Sequence, residues 1–171
     1  MIIEERVERS QYVKLITWIV SFIILMAGIV FPVLILWVNQ DMMSKVIGAS
    51  VLCLIFFTLI FTVAYQPRKL ILSETHIIME RILGQVYISY SDITDISLYH
   101  RENVAEIRIF GIGGLGGYIG KFYNSKIGFY TAYVGDYSQA FLIKINNREK
   151  YEMSWRHAEK IVEEVKSRLK Q

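Results

Sequence analysis

Residues 111–116 read Gly-Ile-Gly-Gly-Leu-Gly and satisfy G-x-G-x-x-G. A dinucleotide site needs that turn to open a helix whose N-terminus faces a pyrophosphate, inside a βαβ unit. Here Gly117, Tyr118, Ile119 and Gly120 follow, no helical period begins, and no Gly-Lys-Ser/Thr supplies a phosphate loop. Nucleotide binding is set aside. His76, His100 and His157 stand apart, with no Cys or His at ligand spacing, so no metal site is expected. Asp92 suits a turn before Ile93 better than an acid–base pair with Asp95, and His100, Arg101 and Glu102 read as a solvated turn. No nucleophile elbow is present, and the only thiol, Cys53, lies in an apolar run. The chain reads as a non-enzyme with no catalytic residues and no cofactor.

What remains is an aromatic and glycine-rich segment with interleaved cations. Tyr118, Phe122, Tyr123, Phe129, Tyr130 and Tyr133 surround the glycines, and Lys121 and Lys126 fall among them. One reading is an irregular hairpin whose loop meets lipid headgroups, a peptide or a partner protein. The other is that the aromatics fill and cover a barrel. Phe122 and Tyr130 fit the second; Lys121, Tyr123 and Lys126 form the candidate binding loop.

The elements that position this segment begin with two apolar runs, residues 15–38 and 46–65, neither holding a charged residue. As helices they reach about 36 Å and about 30 Å, enough to span a hydrocarbon core of about 30 Å. The expected arrangement is a transmembrane hairpin over residues 15–65, after a cytoplasmic segment at 1–14. Arg6, Arg9 and Lys14 precede the first span and Arg68 and Lys69 follow the second, whereas the loop holds only Lys45. That asymmetry predicts a multi-pass cell-membrane protein with both termini cytoplasmic. Pro32 is expected to bend the first helix, and Gly28, Gly48 and Ala49 allow close helix contact. No ionisable group lies in either run, which argues against a transport pathway.

Residues 67–171 alternate in short stretches at 69–72, 76–81, 86–90, 96–99, 106–110, 129–134, 141–145 and 150–153. The period then changes. Trp155, Ala158, Ile161, Val162, Val165 and Leu169 share a helical stripe within residues 155–169, with Ser154 as the expected N-cap. Short antiparallel strands followed by one amphipathic helix predict a small, partly open all-β barrel of about seven strands, capped by that helix.

This order is similar to the pleckstrin-homology-like (PH-like) fold. The segment from Gly111 to Gly128 resembles the signature of bacterial PH-like domain proteins that follow a transmembrane hairpin, G-x-G-G-x-x-G-Y-x-G-x-F-x-N with a further glycine. Gly111, Gly113, Gly114, Gly117, Tyr118, Gly120, Phe122, Asn124 and Gly128 match it, while Gly116 stands where a bulkier residue is expected. The resemblance implies a fold and a membrane setting, and carries no general biochemical role.

From residue 67 onward 15 Lys/Arg face 12 Asp/Glu, and the Ser73-Glu74-Thr75-His76 turn lacks the basic cluster of phosphoinositide-binding PH domains. Lys69 and Arg81 alone make a weak phosphate site. The balanced charge also excludes nucleic acid as a partner. Two functions stay open: an integral membrane scaffold binding a protein segment or lipid headgroup, or a structural subunit, homo-oligomeric or otherwise, assembled through Gly28, Gly48 and Ala49.

Overall fold

The computed structural model describes residues 3–38, 41–101, 106–146 and 149–169. Strand β1 (Ile3–Arg6) leads into helix α1 (Gln11–Leu25), a π-helical turn (Met26–Val30), α2 (Phe31–Val38) and α3 (Met42–Tyr65). Both arms of this hairpin start a turn before the charge-free runs do. Ser10 Oγ accepts from Val13 N at 3.2 Å and Asp41 Oδ2 from Ser44 N at 2.8 Å, so the caps, not Lys14 and Lys45, set the helix starts. Pro32 has no N–H, and its ring presses on the carbonyl four residues back. The π-helical turn ending just before Phe31 takes up that misfit.

A Cβ on Gly28 would lie 3.0 Å from Ile55 Cδ1, and one on Gly48 would lie 3.0 Å from Leu36 Cγ. Both glycines therefore serve the contact between the two arms. The helices Gln11–Val38 and Met42–Tyr65 are long and apolar enough to cross a membrane, and only 6% and 11% of their most apolar stretches are buried. A core helix of a soluble protein hides its apolar side; here Trp18, Phe22, Trp37 and Phe57 all face outward.

Nine strands follow: β2 (Pro67–Leu72), β3 (His76–Arg81), β4 (Gln85–Ser89), β5 (Ile93–Leu98), β6 (Glu106–Gly113), β7 (Tyr118–Asn124), β8 (Gly128–Val134), β9 (Ala140–Ile145) and β10 (Glu149–Ser154). They form two sheets, ordered β1-β2-β3-β4 and β5-β9-β10-β8-β7-β6. The strand beyond the sequence reading is β7, whose alternation is interrupted by Gly120. The all-antiparallel expectation is corrected at one place: β10 runs parallel to β8, because the β9–β10 hairpin lays its second strand against β8. The N-terminal segment joins the smaller sheet, with Arg6 opposite Lys69.

The two sheets close on a common core. Leu70, Leu72, Ile77 and Met79 from one meet Phe141, Ile143 and Met153 from the other. Helix α4 (Ala158–Leu169) seals it with Ala158, Ile161, Val162 and Val165, the stripe read from the sequence. Ser154 does not cap this helix. It ends β10, and its Oγ accepts from Gly135 N at 2.8 Å and Asp136 N at 3.3 Å. The cap comes instead from Gln139, whose Oε1 accepts from His157 N at 3.0 Å.

Candidate functional site

The glycine-rich segment is the β6–β7 hairpin. Of its motif glycines, Gly111, Gly114, Gly117, Gly120 and Gly128 hold positive φ, and Gly113 does not. Gly111 and Gly120 are cross-strand partners. The turn between the strands does not stand out in solvent; it packs on the foot of the helical hairpin. Gly116 N donates to Thr17 Oγ1 at 2.8 Å, and Thr17 Oγ1 in turn donates to Val13 O at 2.6 Å. The Gln66 side chain fills the space beside Gly116, where a Cβ would come within 2.0 Å of its Nε2. Arg9 Nη2 holds Gln66 by donating to its Oε1 at 2.6 Å. The glycine at position 116, bulkier in the resembling signature, is thus required by Gln66.

Phe122 and Tyr130 are buried and stacked, with ring centroids 5.9 Å apart. Asn124 is buried as well: its Nδ2 donates to Tyr99 Oη at 2.8 Å and its Oδ1 accepts from Lys126 N at 2.8 Å, shaping the β7–β8 turn. Of the candidate binding residues, Lys121 and Tyr123 share one face of β7, and Lys126 sits in the turn beyond them. Tyr123 packs against Phe129, with centroids 5.0 Å apart.

The face bearing Lys121 continues the face that carries Ile119, Tyr133 and Met153 into the core. Toward β9 it is covered by the smaller sheet and α4. At the β6–β8 corner it is bare. Ile107, Ile109, Phe110 and Phe129 are 57%, 55%, 70% and 68% exposed, and β6 ends its sheet among the described residues. A register shift between Arg108 and Phe110 places Ile109 and Phe110 together on the Lys121 side. An open cleft there is lined by Ile109, Lys121, Phe129, Thr131, Lys150 and Tyr151. Sequence reasoning missed Ile109, Phe110 and Thr131, because only strand pairing shows which side of the sheet they take.

The opposite face of the sheet carries a polar cluster. Arg101 pairs with Glu106, and its guanidinium lies 4.5 Å from the Tyr137 ring centroid and 5.5 Å from that of Tyr118. The solvated-turn reading of Arg101 is corrected: it is held by two rings and a carboxylate. Glu152 lies behind them, fully buried, and neither carboxyl oxygen finds a hydrogen-bond partner among the described residues. Burial, reinforced by the Glu106 charge and opposed by Arg101, pushes its carboxyl up to about 8. Burial likewise raises Glu106, against the pull of Arg101. Among the described residues no three His, Cys, Asp or Glu gather as metal ligands.

Two sheets closed by a C-terminal helix, set on a pair of long apolar helices, define a PH-like domain with a helical hairpin before it. The chain belongs to the bacterial PH domain family, whose model matches residues 68–169. No curated protein and no solved structure matches it.

Proposed function

We propose that this chain is a membrane-anchored PH module that binds an extended protein segment on the open β6–β8 corner. One observation carries the reading: a sheet face that is core elsewhere is left bare at Ile107, Ile109, Phe110 and Phe129, beside an end strand. Monomeric soluble domains rarely leave large apolar side chains contiguous in this way, and an exposed strand edge is a recurrent peptide dock. Lys121 and Lys150 outnumber Glu149 in this cleft and would favour a segment with acidic residues.

The anchor sets the location. The basic flanks at Arg6, Arg9, Arg68 and Lys69 favour a hairpin with both feet at the cytoplasmic face. Held there, the module needs little intrinsic affinity, since tethering raises the effective concentration of a membrane partner.

Photo-crosslinking in native membranes tests the site. A photoreactive phenylalanine at position 110 or 129 should capture a protein that one at Tyr87, exposed on the smaller sheet, does not. Equal capture at all three positions, or none, overturns the assignment. Loss of the adduct in Lys121→Ala/Tyr123→Ala, with Lys126→Ala unaffected, would place the contact on the strand face. Thiol labelling fixes orientation: in a Cys53→Ser background, Glu159→Cys should be shielded from an impermeant reagent in intact cells and Asp41→Cys should react.

A further inference from the structure

We propose that the foot of the hairpin is a second site, which binds the headgroup of an anionic phospholipid. Pairing of β1 with β2 gathers basic residues that lie on either side of the hairpin in sequence. Arg6, Arg9, Arg68, Lys69 and Arg81 line one cleft of about 560 Å³, with Glu80 the one acid lining it among the described residues. Pro67, which also lines this cleft, comes one residue after Gln66, the cap that ends α3. The cleft is therefore at the level where the helix leaves the apolar layer, and lies away from the Ser73–Thr75 turn at the far end of β2.

Arg81 is shared between this cleft and a second cavity. Its guanidinium lies 5.2 Å from the Tyr65 ring centroid and 5.6 Å from that of Tyr133, and Nη1 donates to Tyr133 Oη at 3.4 Å. Its Nε is buried with no acceptor among the described residues. A desolvated cationic donor held between two rings calls for an anionic oxygen. Arg81 also borders the second, apolar cavity of about 370 Å³, to which Phe61, Tyr65, Phe110 and Ile119 contribute. A free phosphate would fill the basic cleft and leave that cavity bare. A glycerophospholipid fills both, with phosphate at Arg81, the remaining headgroup charge toward Arg68 and Lys69, and an acyl chain beside the last turns of α3. Basic clefts at the cytoplasmic ends of membrane helices are suited to such headgroups.

The inference rests on the hairpin crossing the bilayer, so the two are tested separately. Alkaline carbonate extraction of native membranes reads the anchor: release of the chain would remove the membrane reading itself. For the site, the full chain in nonionic detergent is titrated with dioctanoyl-phosphatidylglycerol, dioctanoyl-phosphatidylcholine and inorganic phosphate, with bound species counted by native mass spectrometry. Phosphatidylglycerol should bind at least about tenfold tighter than phosphatidylcholine, and inorganic phosphate should not displace it. Arg81→Gln should weaken binding about tenfold, and Arg68→Gln/Lys69→Gln about twenty-five-fold, from roughly fivefold for each charge removed. Lys160→Gln, exposed on α4, should change nothing. The double variant alters surface groups, so it remains informative even if Arg81→Gln fails to fold. Equal affinity for the two lipids, or indifference to both basic variants, overturns the site. Inorganic phosphate binding as well as the lipid would assign the cleft to a soluble phosphate instead.

Discussion

Gly111 and Gly120 face each other across β6 and β7, and neither strand has room for a side chain there. A Cβ on Gly111 would lie 2.1 Å from Ile119 O, and one on Gly120 would lie 2.2 Å from Phe110 O, each at a φ near +125° (+125° and +126°). The clash is with backbone, which no rotamer change can relieve. Gly120→Ala should cost about 3 kcal/mol, combining a conformation nearly reserved for glycine with overpacking. Thermal unfolding of the full chain in mild detergent reads the loss. Gly113→Ala, at ordinary φ and against the flexible Arg108 side chain, should cost well under half as much.

The same pair explains why the hairpin was hard to read. Glycines inside β6 and β7 erase the alternation that marks the other strands, so β7 looks like loop until its pairing with β6 and β8 is known. The apolar runs, the β2–β3 turn and the stripe of α4 were legible, because each is a local pattern with a fixed period. The cap of α4 was not, since Gln139 arrives from another element while Ser154, next to the stripe, is spent on Gly135 and Asp136. The sites were legible only in part. Lys121 and Tyr123 stood out as an interleaved cation and aromatic, but Tyr65, Arg81, Phe110 and Tyr133 come together only through the fold.

Glu152 should make stability fall with rising pH. Folded, its carboxyl keeps a proton up to about 8; unfolded, it releases it near the ordinary carboxylate value of 4.5. Between those limits the folded chain binds more protons, so the stabilisation is complete below 4.5 and is lost as pH rises through about 8. Glu152→Gln cannot ionise. The variant should match the parent within about 1 kcal/mol near pH 5 and exceed it at pH 9, as unfolding midpoints across that range will read. Parallel pH curves would show that Glu152 ionises normally.

The tie between the β6–β7 turn and the helices can be cut without touching either sheet. Thr17→Val removes the hydroxyl that accepts from Gly116 N, at a cost of about 1–2 kcal/mol for the donor left without it. Limited proteolysis should then cleave at residues 113–117 sooner than in the parent. Gly116→Ala should act more strongly, since it must expel Gln66 and break the Arg9 contact.

Gly48→Leu should loosen the helical hairpin itself. Its side chain must displace Leu36 and press on the Pro32 carbonyl, so the melting temperature in detergent should drop while particle size stays constant. Ala49→Leu sits on the exposed side of α3, and its melting temperature should hold. A change of particle size confined to Ala49→Leu would favour assembly through the hairpin.

The pairing of β1 with β2 has a bearing on how the chain is made. Strand β1 is synthesised before the hairpin, yet its partner β2 follows only after both long helices have been made. The smaller sheet therefore completes after the hairpin is in place, and its first strand waits unpaired through the whole of insertion. A fragment begun at Pro67 for convenience would carry β2 as a raw edge, with Leu70 and Ile71 robbed of their backbone partners Glu5 and Glu4. Such a piece invites strand-to-strand aggregation that the chain carrying β1 avoids.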